Sequence, residues 1–323
     1  MSVRAFVFPG QGSQFVGMGR DLAAAFAPAR EVFQEVDDVL GQKLAILMFD
    51  GPPEALLLTE NAQPALMAMS LAVLRVLEHE GGFKVADRAV LVAGHSLGEY
   101  SALAAAGALT IADAARLLRQ RGLAMQDAVP PGEGAMAALL GVGLDAAIAI
   151  CADAAMLIHE DGRTETQVVE PANDNGGGQV VISGHRAAVE RAIELAKTRG
   201  VKRAMLLPVS APFHCALMAP AAAIMAERLG EATVHAPTVP LVANVTADRV
   251  TDPGDIRARL VQQVTGTVRW RESILAMRAM GVDTVLELGA GKVLSGLTRR
   301  IDPELAGASA GSPAEIETML KGL

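Results

Sequence analysis

The chain has 323 residues, a formal net charge of −8 at pH 7, and a composition that is 51% hydrophobic but only 3% aromatic. That length suits one large domain or two ordinary ones, and an apolar content made mostly of Ala, Leu, Val and Met favours helices packed on helices and on a sheet. The acidic balance and the lack of any basic run argue against a nucleic-acid partner, whose phosphates need clustered Lys and Arg.

The N-terminal "MSVRAFVFPGQG" carries too short an apolar run for a signal peptide. Its "VRAFVFPG" reads as a buried strand stopped by Pro9 and Gly10. Apolar residues at helical spacing then run through "FVGMGRDLAAAFAPAREVFQEVDDVL" and predict a helix. "NAQPALMAMSLAVLRVLEHEGG" predicts a long helix that starts near Pro64 and stops at Gly81 and Gly82. "AVLVAGHS" has the continuous apolar character of a parallel strand covered on both faces, and "LGEYSALAAAGAL" and "IADAARLLRQRGLAMQDAV" follow as helices. Glu99, Asp113 and Asp145 interrupt the Ala-rich stretches before the ~20 apolar residues that a membrane span needs. Strands alternating with helices predict an α/β core.

"PPGEG", residues 130 to 134, marks a break. Beyond it come strand "AMAALLGV", helix "LDAAIAICADA", strands "TQVVEPAN" and "QVVISGH", helix "AAVERAIELAKTRG" and strand "KRAMLLPV". This βαββαβ order is that of a ferredoxin-like unit. The α/β pattern resumes after residue 208 with strands "VPLVANV" and "TVLELG", separated by a helix containing Trp270. The expected organisation is a discontinuous large α/β domain, residues 1–131 and 208–323, with a small ferredoxin-like domain, residues 132–207, inserted into it. Cys151 and Cys215 form no CxxC spacing and no disulfide framework. Both are expected to be small buried thiols, in keeping with a soluble protein of a reducing, cytoplasmic compartment.

Gly94-His95-Ser96-Leu97-Gly98 matches the G-x-S-x-G nucleophile elbow, with a predicted strand before it and a helix after it. Such a bend forces the serine into a sparsely allowed backbone conformation, and the flanking glycines let neighbouring chain approach. The N–H groups at the start of the next helix face any oxyanion formed on an attacked carbonyl. A serine hydroxyl needs a base. Among the six histidines, His95 adjoins Ser96 on the strand and is expected to point to the other face, beneath the elbow. His79, His159 and His185 belong to polar, Gly-containing stretches that read as surface, and His235 to a loop. His214, in "LLPVSAPFHCALM", follows a strand and two prolines and stands at a helix start, where ligands gather in open α/β sheets. His214 is the candidate base. No histidine pair has HxH or HxxxH spacing, so no metal is expected. "FPGQGSQFVGMG" misses the G-x-G-x-x-G dinucleotide spacing, and "ELGAGKVL" lacks the first glycine of a P-loop and the Ser or Thr after Lys292. The former instead reads as a tight turn that brings the Gln11 N–H beside the elbow as an oxyanion donor.

Taken together and in this order, "FVFPGQGSQFVGMG", "NAQPAL", "GHSLGEYSAL", "RGLAMQDAVPPGEGAMAALLG", "NDNGGGQVVISG", "PVSAPFHCALM" and "ELGAGKVLSGLTRRI" resemble the malonyl-CoA:acyl-carrier-protein transacylases of bacterial fatty acid synthesis. The resemblance runs from about Val3 to Ile301. It implies that Ser96 attacks a malonyl thioester, that His214 takes its proton, and that Leu97 and Gln11 supply the oxyanion-hole N–H groups. It implies that Arg121 pairs with the malonyl carboxylate and that Gln63 and Phe213 contact substrate, Phe213 as in malonyl-selective members. The backbone carbonyl of Gln263, next to Gln262 in "LVQQV", would orient His214. The implied fold is an α/β-hydrolase-like large domain with a ferredoxin-like small one. The implied partners are malonyl-CoA, a coenzyme A thioester acting as substrate, and acyl carrier protein, with a monomeric enzyme and no permanently bound cofactor.

An acidic carrier meeting an acidic enzyme needs a local basic patch, for which Lys292, Arg299 and Arg300 are candidates. Two other readings compete. A serine hydrolase would want an Asp or Glu between the serine and a late histidine, and would leave Arg121 without a purpose. A non-catalytic carrier-binding module would keep the fold and take up no acyl group.

Overall fold

The computed structural model describes residues 2–158 and 163–323; His159, expected at the surface, lies outside the described residues. The strands in chain order are β1 (Arg4–Phe8), β2 (Leu91–Gly94), β3 (Gly134–Leu140), β4 (Met156–Ile158), β5 (Thr164–Thr166), β6 (Val169–Asp174), β7 (Gln179–His185), β8 (Arg203–Leu206), β9 (Leu241–Val242), β10 (Arg249–Val250), β11 (Thr284–Leu288) and β12 (Ala306–Ala310). The large sheet has the order β10-β9-β2-β1-β11-β12. Its pairs are parallel except β9 with β10 at one edge. Central β1 and β2 are apolar and buried almost throughout, without alternation, as strands covered by helices on both faces require. Phe8 is in register with Gly94, so the chain leaves β1 and β2 at the same end of the sheet. That register sets the site, because it brings the loop after Pro9 against the bend at Ser96.

The second sheet is antiparallel, with the order β6-β7-β3-β8. Helices Leu144–Ala155 and Arg186–Thr198 cover one face, burying Leu139, Ile150, Ile182 and Val189. Alternate residues on the opposite face, Met136, Ala172 and Val181, belong to the large core instead, as the two-residue period of a strand dictates. The antiparallel pair β4–β5 stands apart from both sheets. Among the described residues no helix is long and apolar enough to cross a membrane.

Several elements differ from the sequence reading. The long helix begins at Thr59, not near Pro64, and carries the proline inside it. Proline has no N–H for the Glu60 carbonyl four residues back; Arg119 Nη1 donates to that carbonyl at 3.0 Å and so replaces the missing bond. The first predicted helix is two, Arg20–Ala25 and Ala27–Leu40, because Phe26 is extended ahead of Pro28. "TQVVEPAN" splits between β5 and β6, and "VPLVANV" pairs only at Leu241–Val242. Strands β10 and β12, the latter "AGASA", and helices Leu44–Asp50 and Pro53–Leu57 were not predicted, being short or built of small residues with weak periodicity. Both cysteines are free and buried, and burial pushes the Cys151 thiol up to about 12 and the Cys215 thiol up to about 11.

Candidate active site

The bend after β2 holds Ser96 in the left-handed region, with φ of 53°. Only glycine fits on either side: a Cβ on Gly94 would lie 1.9 Å from the Gly98 oxygen, and one on Gly98 would lie 2.2 Å from the Phe8 oxygen. Asn244, just beyond β9, braces the bend from below. Its Oδ1 accepts from the Ser96 N–H at 2.8 Å and its Nδ2 donates to the Gly94 oxygen at 2.7 Å. Helix Gly98–Ala105 follows. Among the described residues the Leu97 and Gln11 N–H groups meet no acceptor within the chain, and Gln11 shares a cavity with Ser96.

His214 is also left-handed, with φ of 58°, and this turn ahead of the short helix Ala216–Met218 aims its ring back at the elbow. Its Nε2 is 2.7 Å from Ser96 Oγ. Its Nδ1 lies 2.8 Å from the Gln263 oxygen and 3.2 Å from the Gly266 oxygen. Two carbonyls can only accept, so Nδ1 carries the proton and Nε2 keeps the lone pair that a base needs. Burial, and then the nearby Arg121 cation, draw the imidazole down to about 3, so it is neutral at physiological pH.

Arg121 is buried within helix Ile111–Asp127. Gly122 brings that helix close to the helix starting at Thr59, since a Cβ there would lie 2.5 Å from the Glu60 Cα. The guanidinium thereby reaches Gln63, with Nη1 donating to Oε1 at 2.7 Å. Nη2 donates to Gln263 Oε1 at 2.8 Å and to Ser96 Oγ at 3.2 Å. Gln63 Nε2 and Gln11 Oε1 both bond Thr59 Oγ1, at 2.8 and 3.0 Å, so the polar chain runs from the Gly-rich turn to the serine. Gln263 does two jobs: its backbone oxygen holds His214, and its side-chain Nε2 donates to the Ser96 oxygen at 2.9 Å and to Glu99 Oε2 at 2.6 Å. Gln262 is exposed. Burial pushes the Glu99 carboxyl up to about 7.

The cavity above Ser96 measures about 300 Å³. It is lined by Met136 and Val181 of the small sheet, by Gln11, His95 and Ser96 beyond the ends of β1 and β2, by Gln63 and Arg121 of two helices, and by Phe213 and His214. Six of the eight residues that the resemblance assigned to the site line this space; Leu97 adjoins it next to Ser96, and Gln263 is bonded to His214 and Arg121. His95 is not beneath the elbow: its Nε2 bonds Asn175 Oδ1 at 2.9 Å, its ring packs 5.6 Å from Trp270, and it borders the cavity. His185 is half-buried and its Nδ1 accepts from the Val168 N–H, whereas His79 and His235 are exposed. Lys292, Arg299 and Arg300 are exposed, but Lys292 is paired with Glu315 at 2.6 Å. Sequence reasoning passed over Asn244 and Glu99. Each had a signal: Asn244 is the lone polar side chain of "LVANV", and Glu99 the lone charge of "LGEYSALAAAG". Among the described residues no cluster of His, Cys, Asp or Glu could hold a metal ion.

A family model described as "Acyl transferase domain" matches residues 5–300. The chain belongs to this family. The acyl transferase is 48% identical to the malonyl CoA-acyl carrier protein transacylase of Escherichia coli (strain K12), over 99% of this chain and 100% of the relative. It is also similar to the crystal structure of an acyl-carrier-protein-S-malonyltransferase from Bartonella henselae, with TM-score 0.93, 53% identity and 99% of both chains covered. A third likeness is to a malonyl-transacylase solved in complex with its type II PKS acyl-carrier protein, with TM-score 0.93, 43% identity and 100% of both chains covered.

Proposed function

We propose that this acyl transferase moves a malonyl group from malonyl-CoA to the phosphopantetheine thiol of an acyl carrier protein, through a malonyl ester on Ser96, and so supplies fatty acid chain elongation. One observation carries the reading: the Ser96 hydroxyl lies 2.7 Å from a neutral imidazole nitrogen and 3.2 Å from a buried guanidinium. As Ser96 Oγ attacks the thioester carbon, its proton passes to His214 Nε2. The oxyanion that forms sits between the Leu97 and Gln11 N–H groups, each such donor being worth about 3–4 kcal/mol. Collapse breaks the carbon–sulfur bond, and the His214 proton goes to the departing coenzyme A sulfur. The carrier thiol then gives its proton to His214, attacks the ester, and returns Ser96 with its hydrogen. Both ends of the exchange are thioesters, so it runs in either direction.

Arg121 takes the malonyl carboxylate with its planar fork of donors, held in place by Gln63 and by the Gln263 side chain. The Gln263 backbone oxygen keeps His214 in the reactive tautomer. Phe213 and the apolar residues of the small sheet exclude water around the acyl-serine, which favours a thiol over hydrolysis. One methyl group against such a wall is worth about 1–3 kcal/mol, so selection against branched acyl groups is leaky.

Residues 1–131 and 208–323 form the hydrolase-like domain in this reading. Residues 132–207 form the ferredoxin-like one, a reading supported by the strand order β6-β7-β3-β8. The proposal places the enzyme in the cytoplasm, as a monomer with no resident cofactor, its carrier docking near Arg299 and Arg300. Intact-mass measurement after mixing with malonyl-CoA should find one malonyl group on the wild type and none on Ser96→Ala. An adduct that persists on Ser96→Ala, or malonate released without any acceptor thiol as fast as transfer occurs, would overturn the reading.

A further inference from the structure

Glu99 is one of the few buried charged side chains among the described residues, only 1% exposed, and the mechanism above does not use it. It is the second residue of the helix after the elbow. Oε2 accepts from Gln263 Nε2 at 2.6 Å and from the Asn244 N–H at 3.4 Å, and Oε1 has no partner among the described residues. Arg121 on the far side of Gln263 is equally unusual. Its Nη atoms are met by two amide oxygens and a hydroxyl, its Nε is buried without a partner, and among the described residues no carboxylate forms an ion pair with it. The two opposite charges are thus one amide apart: Arg121 Nη2 to Gln263 Oε1, Gln263 Nε2 to Glu99 Oε2. The remaining groups that bear on Glu99 are Tyr100 on its own helix, Asn244 below, and Arg259 on helix Pro253–Thr265. Burial keeps Tyr100 protonated, by raising its pKa.

We infer that Glu99 is a positioning residue that sets the preference for carboxylated over neutral acyl groups, because it balances Arg121 when the pocket is empty and gives up that role, by taking a proton, when a second carboxylate arrives. The inference rests on the reading of Arg121 given above. Two carboxylates served by one buried guanidinium repel each other, and the more deeply buried one protonates. Burial already holds the Glu99 carboxyl near 7, so an incoming malonyl carboxylate raises it further. Below that pH the proton is in place. Above it, every malonyl group that binds must bring a proton from solvent, and malonyl uptake weakens as pH rises. A neutral acetyl group makes no such demand.

The test is the ratio of kcat/KM for malonyl-CoA to that for acetyl-CoA across pH. Titration of His214, of coenzyme A and of the carrier thiol acts on both donors and cancels in the ratio. The wild-type ratio should fall about tenfold for each pH unit above about 7. Glu99→Gln keeps the shape and the hydrogen-bonding ability but cannot titrate, so its ratio should be flat. Calorimetry at pH 8 in two buffers of different ionisation enthalpy should find proton uptake on forming the malonyl enzyme and none on forming the acetyl enzyme. That measurement uses the wild type alone and stands if the variant fails to fold. A merely structural Glu99 would lower both rates together and leave the pH slope of the ratio unchanged. A flat wild-type ratio, or a Glu99→Gln ratio that still falls, overturns this inference while the malonyl adduct on Ser96 still forms. Absence of the adduct overturns the function instead.

Discussion

The small antiparallel sheet and the open end of the large parallel sheet satisfy their polar groups in opposite ways. In the small sheet the backbone bonds to itself along β6, β7, β3 and β8, and the interior beneath its two helices is Ala, Val, Ile and Leu with one Cys. At the end of the large sheet the ladder has stopped, and side chains take over: Asn244 holds the Ser96 N–H and the Gly94 oxygen, and Gln263 holds the Ser96 oxygen. Among the described residues, two of the three non-glycine residues with positive φ, Ser96 and His214, are found there. Such conformations cost about 1–3 kcal/mol each and persist only where the surroundings over-determine them. Backbone held by side chains can leave the regular grid, and leaving it is what points Oγ at Nε2. The small sheet, held by its ladder and core, leaves that grid between Pro171 and Asn173 of β6, and gives the site an apolar wall.

This contrast predicts that substitutions in the two regions fail differently. His214→Ala should slow malonyl-adduct formation by about 10⁴-fold or more while leaving the chain folded. Asn244→Ala touches no substrate, yet loosening the bend by a fraction of an ångström should cost about 10²-fold in the same rapid-mixing assay. Leu139→Ala, deep under the small sheet, should instead remove about 2–5 kcal/mol of stability, seen as a lower denaturant midpoint. The adduct rate per folded molecule should stay near that of the wild type. If Leu139→Ala slowed the folded molecules as much as Asn244→Ala did, the division between the two regions would be wrong.

A smaller effect tests the same contrast away from the serine. Pro64 leaves the Glu60 carbonyl without its helical donor, and Arg119 supplies one from the neighbouring helix, while also donating to Asn61 Oδ1 at 2.6 Å. Arg119→Met keeps the packing stem and removes the donors, at a cost of about 1 kcal/mol for a partly solvated carbonyl. Pro64→Ala restores a backbone N–H to that carbonyl. In a double-mutant cycle followed by urea unfolding, Pro64→Ala should recover stability in the Arg119→Met background more than in the wild type. Strict additivity of the two changes would mean that Arg119 is not replacing the missing bond.

Legibility followed the same division. In the stretch that holds the small sheet, strands β3, β7 and β8 and helices Leu144–Ala155 and Arg186–Thr198 were readable from their apolar runs, whereas β4 went unread and "TQVVEPAN" divided between β5 and β6. Ser96 and its glycines were readable because a bend with no room for a Cβ leaves few residue choices. The Gln263 role was not readable from spacing, since a backbone carbonyl carries no residue type; only burial separates Gln263 from exposed Gln262. The helix start at Thr59 was missed because Pro64 is tolerated through a partner 55 positions away in the chain, at Arg119. Glu99 and Asn244 were missed because a single charge or amide in an apolar run looks like a solvated position until the fold covers it.

The smallest predicted change is a pH response that fails to appear. An imidazole in water loses its basic form as pH falls through about 6.5, and a base so exposed would carry that midpoint into the rate. His214 is drawn down to about 3 by burial and by Arg121, so it stays neutral well below its ordinary range. Acylation by acetyl-CoA, which avoids the carboxylate pocket, should therefore change by less than about twofold between pH 7.5 and pH 5.5. The same shift acts on stability with a definite sign. Between about 6.5 and about 3 the unfolded chain binds a proton at His214 and the folded chain does not. Stability must then rise with pH across that window and gain nothing further from this group above it. The melting temperature of the wild type should fall more steeply from pH 6.5 to pH 4.5 than that of His214→Gln, which has no proton to take up. Parallel curves for the two proteins, together with an acylation midpoint near pH 6.5, would mean that water reaches the imidazole and that the side-chain scaffold around it is looser than the bonds to Gln263 and Gly266 require.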